Sequence, residues 1–236
     1  MAKAQPLYLQ VKDNLVARLN GGEWPPGAVI PSEMALAAEL NVSQGTVRKA
    51  IDLLCSDGAL RRAQGKGTFV SKQTEELADD RFFPLFAQDG NRANPELYRQ
   101  VAAHRPATAA QARALGIGEQ ASVHVIERVL TLAGSRAITE VIAVGADLMP
   151  GLSDLDPLPT SLYPLYQMRF GISVLDAQET LSAVNANGQQ ARRLKIPAGT
   201  ALLRSERVAL DLLGRRVEHR ISYYLTRSHR FAVARG

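Results

Sequence analysis

Five polar residues lie close together near position 45, where their side chains suit contacts with a sugar-phosphate backbone and with base edges. They are Ser43, Gln44, Thr46, Arg48 and Lys49. A glutamine can hold adenine through two hydrogen bonds, an arginine can hold guanine or phosphate, and hydroxyl groups bind phosphate. Gly45 leaves room for close approach among them. This chemistry predicts a DNA-reading helix end.

A second pair with chemical potential is Arg128 and Glu140, each flanked by apolar residues on its face of a predicted strand. A turn centred near Gly134 would place the two side chains roughly opposite each other. Charged groups on apolar faces need a partner or a polar ligand. Two interpretations stay open from these residues alone, a cross-strand salt bridge and a ligand pocket.

The first group is positioned by three short helical patterns. Ser32 and Ser43 precede two of them, and a hydroxyl there can accept hydrogen bonds from free backbone amides. The apolar positions recur at helical spacing and predict a shared core. They are Leu7, Val11, Leu15 and Leu19, then Leu36, Ala37 and Leu40, then Val47, Ile51 and Leu54.

A glycine-rich basic hairpin follows, with the tip Gln64, Gly65 and Lys66 between short strands at 59–62 and 68–70. Glycine permits turn geometries that are closed to other residues, and an exposed backbone with one lysine suits a minor groove. Taken alone, the tip is better explained as a plain β-turn with a solvated lysine. With the helices before it, it predicts a winged helix-turn-helix domain over residues 1–72.

Composition sets broad limits on the 236-residue chain. Its hydrophobic share is 46% and its net charge is +5, of which residues 1–72 carry +3 and residues 73–236 carry +2. Charge alone is therefore a weak argument for a nucleic-acid partner. One cysteine, Cys55, allows no intrachain disulfide. With no secretory signal and no membrane-length apolar stretch, we expect a cytoplasmic protein that does not associate with membranes.

Beyond a polar linker at 73–82, alternating runs predict strands at 121–132, 136–145, 172–184, 201–212 and 215–226, with helices at 108–115, 161–170 and 187–194. This order predicts an α+β, mostly antiparallel domain over residues 83–236. An internal repeat supports it, since residues 111–129 and 190–208 match at eight of nineteen positions without a gap. A duplicated helix-hairpin unit predicts one sheet with pseudo-twofold symmetry.

The motifs PLYLQ, IPSE, LNVSQGTVR and GKGTFV closely resemble the DNA-binding domain of GntR-type bacterial transcription regulators. The resemblance implies that the third helix enters the major groove and the wing tip reaches the minor groove. By position, it implies DNA contacts from Ser43, Gln44, Thr46, Arg48, Gln64, Gly65 and Lys66. Met34 departs from the pattern, since many members have arginine there, and one DNA contact is thereby in doubt.

The remainder resembles the UTRA effector domain of the HutC-type branch, which has a chorismate-lyase-like fold. The resemblance rests on Glu127-Arg128, Glu140, the run 160–163, Arg207 and the segment 217–224, and it implies an effector site. Its residues are Arg128, Glu140, Ser161, Glu218 and Tyr224. Ser161 is expected to open a helix whose amides favour an anion. Leu130 replaces a second arginine that sugar-phosphate binders have, so an organic acid is at least as good a candidate as a sugar phosphate.

The resulting hypothesis is a homodimeric repressor that binds a palindromic double-stranded DNA operator and responds to a small anionic metabolite. No metal site and no cofactor are expected, because the four histidines lack metal-ligand spacing. Two alternatives stay open: an effector-free DNA-binding protein, and a lyase-like enzyme that uses Arg128, Glu140 and Glu218 for acid–base chemistry. No nucleophile motif or phosphate loop favours the enzyme.

Overall fold

The structure is a computed structural model that describes residues 5–74, 82, 85–227 and 229–232. Residues 75–81, most of the predicted linker 73–82, lie outside the described residues. The chain divides into two compact units. The first is built on residues 5–74 and also contains Tyr163–Leu175 and Asp211–Leu213, and the second contains the remaining described residues.

Three helices form most of the first unit. They are α1 (Leu7–Asn20), α2 (Glu33–Glu39) and α3 (Gln44–Ser56). The Ser32 hydroxyl accepts the backbone amide of Ala35, and the Ser43 hydroxyl accepts that of Thr46, both at 3.1 Å. Each serine therefore satisfies an amide that the helix leaves free. Both predicted helix starts are confirmed.

The predicted wing is an antiparallel hairpin of β1 (Leu60–Ala63) and β2 (Gly67–Val70). Nearly all of the apolar positions predicted for the three helices lie in one core, together with residues of the hairpin. Its fully buried members include Leu15, Leu36, Val47, Ile51 and Leu54. Cys55 is half-buried against this core rather than enclosed in it.

One helix from later in the chain, α5 (Tyr163–Phe170), belongs to the first unit through Gln167. The Gln167 amide nitrogen donates to the Ser71 carbonyl at 3.0 Å, and its oxygen accepts the Gln73 backbone amide at 2.8 Å. Gln167 is buried. The chain leaving the wing is thus held by a glutamine that lies six residues after Ser161.

The second unit is dominated by a six-stranded sheet. Its strands are β4 (Glu96–Pro106), β5 (Ser122–Leu132), β6 (Ser135–Gly145), β7 (Val174–Asn185), β8 (Ala201–Asp211) and β9 (Arg216–Tyr224). Two helices, α4 (Ala109–Leu115) and α6 (Gly188–Leu194), connect them, and the short strands β3 (Leu85–Ala87) and β10 (His229–Phe231) pair separately.

The strand order of the large sheet is β4-β5-β6-β9-β8-β7. Each half therefore contains one strand-helix-strand-strand unit, and the two hairpins meet at β6 and β9, which pair antiparallel. This is the pseudo-twofold sheet that the internal repeat predicts, and the α+β, mostly antiparallel fold is confirmed.

Three strands, β3, β4 and β10, were not predicted from the sequence. The long one, β4, is an edge strand whose side chains are mostly exposed, so it lacks the apolar alternation that marks a half-buried strand. Helix α5 begins at Tyr163, two residues later than predicted. Among the described residues, no helix combines the length and the apolar character that crossing a membrane requires.

Candidate functional site

The start of α3 presents its predicted polar residues on the surface. Ser43, Gln44 and Arg48 are exposed, and Thr46 is half-buried. The hydroxyl groups of Ser43 and Thr46 lie 2.8 Å apart and share a hydrogen bond. Ser43 also caps the helix by accepting the Thr46 amide, so its exposed hydroxyl lies at the amino-terminal end of α3. The arrangement can bind a phosphate group at the helix end.

Arg48 is held by an acidic residue of the neighbouring helix. Its Nε donates to Glu33 Oε2 at 2.8 Å, while the other oxygen of Glu33 accepts Arg62 Nη2 at 2.9 Å. Arg62 also pairs with Asp52 on α3. The Arg48 side chain remains 57% exposed and that of Glu33 only 19%. Glu33 therefore orients guanidinium groups of α3 and of the wing without burying them.

Lys49 has a different environment from the other predicted contacts. Its Nζ lies 3.8 Å from the centre of the Tyr8 ring on α1, a cation–π contact. It is exposed, yet this contact directs its ammonium group toward α1. The structure thus joins Ser43 to Thr46 and Arg48 to Glu33, and it places Lys49 against Tyr8.

The wing tip is exposed at Gln64, Gly65 and Lys66. Its turn is closed by the Lys66 amide, which donates to the Ala63 carbonyl at 3.0 Å. Gly65 has a φ of +69°, which other residues adopt at a cost. The tip combines an accessible backbone with one cation, as a groove contact requires.

In the second unit, Arg128 and Glu140 are direct cross-strand partners on β5 and β6. Arg128 Nε and Nη2 both donate to Glu140 Oε2, at 3.1 and 2.8 Å, and both side chains are fully buried. Arg128 Nη1 donates to the carbonyl groups of Pro159 and Thr160 at 3.2 and 2.7 Å. The predicted opposition is confirmed, and in this structure the pair forms a salt bridge.

A second ion pair on β9 extends the first. Arg220 donates through Nε and Nη2 to the two oxygens of Glu218, at 2.9 and 3.0 Å, and through Nη1 to Glu140 Oε1 at 3.4 Å. The Ser222 hydroxyl donates to the same Glu140 oxygen at 3.1 Å. We refer to Arg128, Glu140, Glu218 and Arg220 as the buried ion cluster. Each member is at most 2% exposed.

The cluster shifts the pKa values of two buried groups in opposite directions. Burial alone would raise the pKa of Glu140, but the Arg220 and Arg128 guanidinium groups and the Ser222 hydroxyl outweigh it and lower this pKa to about 2. Burial, reinforced by the nearby Glu140 carboxylate, raises the pKa of Tyr224 to about 12. Glu140 is therefore ionised and Tyr224 neutral at neutral pH.

Four of the five predicted effector residues share one sheet face, by strand register and alternation. They are Arg128, Glu140, Glu218 and Tyr224. Ser161 is buried next to Thr160, whose carbonyl group accepts from Arg128. It does not begin a helix, since α5 starts at Tyr163. The prediction that Ser161 opens a helix is therefore wrong, and with it goes the expected contact between helix amides and an anion at this residue.

The buried ion cluster is balanced, with two guanidinium groups and two carboxylates. A simple anion would find no excess positive charge there. A ligand that supplies both an anionic group and hydrogen-bond donors can replace the internal partners on both sides. This chemistry fits an organic acid that also carries amine or hydroxyl groups.

Sequence reasoning missed four residues of these sites, namely Glu33, Arg62, Arg220 and Ser222. One signal was present on β9, where polar residues occupy every second position from Glu218 to Tyr224 and so face one side. No comparable signal marked Glu33, because its partners lie 15 and 29 residues away. Among the described residues, no group of three histidine, cysteine or acidic side chains forms a metal-ligand set.

Two known families match the chain. The pattern of the bacterial regulatory proteins of the gntR family matches residues 7–70, and that of the UTRA domain matches residues 100–230. The first match covers the three helices and the wing. The second covers most of the six-stranded sheet and all of the buried ion cluster.

Individual proteins support the same assignment over the length of the chain. The "Probable fructoselysine utilization operon transcriptional repressor" of Escherichia coli (strain K12) is 31% identical over 209 residues, covering 88% of this chain and 85% of that protein. The HTH-type transcriptional repressor NagR of Bacillus subtilis (strain 168) is 28% identical over 220 residues, covering 93% and 90%. The crystal structure of PhnF from Mycobacterium smegmatis aligns with a TM-score of 0.56 at 26% identity, covering 96% and 99%.

Proposed function

The chain belongs to the gntR family of bacterial regulatory proteins and carries a UTRA domain, and we propose that it is a homodimeric repressor whose operator binding is controlled by a small effector. That it is a DNA-binding transcription regulator follows from the family. The observation that supports the finer proposal is the exposed start of α3, where Arg48 is held in place by Glu33.

For DNA recognition, we assign base or phosphate contacts to Ser43, Gln44, Thr46, Arg48 and, on the wing, to residues 64–66. Arg48 is the leading candidate for base recognition, because a guanidinium group can bind guanine through two hydrogen bonds. Lys49 contributes positive charge near the backbone rather than base recognition, because its ammonium group lies over Tyr8.

The dimer proposal rests on the single reading helix of each chain. A helix-turn-helix protein that binds a palindrome presents one reading helix to each half-site, so two chains are needed. A two-fold operator accordingly requires a two-fold protein. Sedimentation velocity of the full chain should give twice its 25.6 kDa mass. A monomer that binds DNA with equal affinity would contradict this part of the proposal.

The effector site is assigned to Arg128, Glu140, Ser161, Glu218 and Tyr224. The relatives bear names tied to the use of fructoselysine and to repression, and the balanced ion cluster suits a metabolite with both anionic and donor groups. A small organic anion of this kind, either an organic acid or a sugar phosphate, would exchange with the internal ion pairs. An effector acts only if it binds the DNA-competent and DNA-incompetent arrangements with different affinity.

The effector site adjoins a helix of the DNA-binding unit in the sequence. Ser161 precedes α5 by two residues, and Gln167 of α5 holds the backbone at Ser71 and Gln73. An effector that repositions Ser161 would therefore move a helix belonging to the same compact unit as the reading helix. Gln167→Ala should lower the change in operator affinity that the effector produces, while each ligand still binds alone.

The test combines a thermal-shift screen with operator binding. The full chain is screened against organic acids, amino-acid derivatives and sugar phosphates, and each hit is titrated into a complex with DNA selected from a random pool. At a hundredfold excess over Kd, a ligand stabilises the folded state by about 2.7 kcal/mol. We expect a hit that weakens DNA binding. A hit that the protein converts to product would instead support the enzyme alternative, which we do not favour.

A further inference from the structure

A cleft lies on the face of the sheet opposite the side chains of the buried ion cluster. It has a volume of about 390 Å³ and lies between α6 and the strands β4, β5 and β6. Glu127 of β5 lines it, and alternation along the strand sends its side chain away from the face of Arg128. The volume is in the range of cavities that hold small organic molecules.

The cleft has a strong excess of positive charge. Five arginines and one glutamate line it. One of the arginines, Arg128, has a fully buried side chain that is paired with Glu140 on the other face, and the remaining four with the glutamate give a formal charge of +3. These five residues are Arg99, Arg136, Arg192, Arg193 and Glu127. Within the described part of the chain, Arg99 and Arg192 have no ion-pair partner, and both are exposed. Guanidinium groups gathered without matching carboxylates favour an anion between them.

Two of the arginines are held in place by the protein itself. The Arg136 guanidinium lies 4.1 Å from the centre of the Tyr98 ring, and its Nη1 donates to the Arg193 carbonyl at 3.2 Å. The Arg193 side chain pairs with Glu127. These contacts fix the walls, so less conformational entropy is lost when a ligand binds between them. Tyr98 and Val101, both more than half exposed, provide an apolar surface beside the charges.

The internal repeat supplies a comparison within the same sheet. Positions 79 residues apart correspond, and Arg192 is matched by Arg113, but Arg193 is matched by Ala114. Carried to β4 and β7, the same offset sets Arg99 against Gln178. The cleft takes Arg99 and Arg136 from the first repeat and Arg192 and Arg193 from the second, and Arg136 is matched by Arg215. Two of the four arginines, Arg99 and Arg193, therefore have no arginine at the matching position, so the arginine concentration is not a property of the duplicated fold. It requires a separate explanation from the pseudo-twofold architecture.

We propose that this cleft binds a small organic polyanion, with two or more carboxylate or phosphate groups, at a site separate from the effector site assigned above. Arg99 and Arg192 would contact the charged groups directly. Arg136 and Arg193 would line the cleft in fixed orientations, and the Tyr98 ring would contact the apolar portion of the ligand. Planar guanidinium groups bind carboxylate and phosphate through two parallel hydrogen bonds, which gives such a site its selectivity for paired anionic oxygens.

The test is isothermal titration of the full chain with citrate and, separately, with inorganic pyrophosphate, at constant ionic strength. Acetate serves as the singly charged comparison. We expect one molecule of citrate or pyrophosphate per chain and much weaker binding of acetate. The stronger of the two probes identifies the carboxylate or the phosphate class. Arg99→Gln and Arg192→Gln should each weaken that binding about tenfold, since a hydrogen bond to a charged group is lost.

Arg113→Gln is the matched control, because it removes the same charge from the corresponding position of the other repeat. It should leave binding unchanged. Equal weakening by Arg113→Gln would show a general charge effect and overturn the proposal, as would unaltered binding in both cleft variants or no heat with either probe. Circular dichroism establishes whether each variant is folded. If Arg192→Gln is not folded, the binding measured for Arg99→Gln alone decides whether the proposal stands. If the variants lose binding only when they also lose the dimer, the cleft belongs to a subunit interface, and the proposal is likewise overturned.

Discussion

Both units of this regulator pair arginines with a glutamate, in opposite environments. On the reading surface, Glu33 bridges Arg48 and Arg62, which are roughly half exposed. In the sheet domain, Glu140 bridges Arg128 and Arg220, which are buried with it. An exposed ion pair contributes about 0–1 kcal/mol and exchanges readily with other partners. A buried pair adds little net stability when intact, because both charges lose their hydration, but removing one partner is costly.

The same residue types therefore serve two purposes in this protein. Exposed guanidinium groups held loosely by Glu33 can leave it for a phosphate or a base. Buried guanidinium groups enclosed with Glu140 can change partner only if a ligand replaces every contact that it breaks. The first arrangement suits DNA recognition, which is dominated by solvent-exposed phosphates, and the second suits a selective effector site.

The largest expected effect is on the buried side. Glu140→Gln leaves two buried guanidinium groups with one carboxylate, and we expect it to destabilise the protein by about 3–5 kcal/mol. Urea unfolding followed by circular dichroism measures this change. Glu33→Gln is the matched control on the exposed side and should cost less than about 1 kcal/mol. Similar losses in the two variants would refute the distinction between the environments.

A somewhat smaller effect is expected from pH. The folded pKa of Glu140, about 2, lies below its ordinary value of 4.5, so the unfolded state binds a proton first as pH falls. The resulting stability, about 3 kcal/mol, is fully present above pH 4.5 and is lost as the pH drops toward 2. Free energies of unfolding between pH 6 and pH 2.5 measure it. Glu140→Gln should show a shallower decline, and parallel curves for the two proteins would contradict the assignment.

The sequence predicts this sheet well where its signals are local or repeated. The duplicated segment anticipates the symmetric strand order, and a turn near Gly134 suffices to place Arg128 opposite Glu140, since register in a short hairpin follows from the turn. Arg220 reaches Glu140 from a strand 80 residues away, and no local rule brings β9 beside β6. Local rules therefore predict two members of the cluster, Arg128 and Glu140, while Glu218 follows only from the family resemblance and Arg220 from neither.

The exposed site shows the opposite balance. Family motifs locate nearly every candidate contact, from Ser43 to Lys66, but not what holds them. Glu33 looks like an ordinary first-turn acid, which the positive end of the helix dipole explains equally well. Its role as the partner of both Arg48 and Arg62 depends on the packing of α2 against α3 and the wing, which the sequence does not specify.

On the reading surface, Arg48→Ala should weaken binding to the selected operator by about 1–3 kcal/mol, because a two-point contact with a base is lost. Fluorescence anisotropy at fixed salt concentration measures it. Lys49→Ala is the control, since Lys49 lies over Tyr8, and it should reduce affinity for all DNA sequences to a similar, smaller extent. Unchanged operator affinity in Arg48→Ala would remove this residue from the reading set.

The smallest effect is the one that best separates the two environments. Glu33→Gln keeps the shape of α2 but removes the carboxylate that orients Arg48 and Arg62. Without that carboxylate, both guanidinium groups gain access to phosphates, so affinity for random DNA should rise. On the operator this gain is offset, because Arg48 is no longer directed to its base, and operator affinity should change little. We therefore expect the ratio of operator to random-DNA affinity to fall about threefold to tenfold, roughly 0.7–1.4 kcal/mol. Anisotropy titrations of both DNAs across several salt concentrations measure this ratio. If the ratio is unchanged while the protein is destabilised as strongly as by Glu140→Gln, Glu33 is a structural residue and the two arginine–glutamate bridges serve the same purpose.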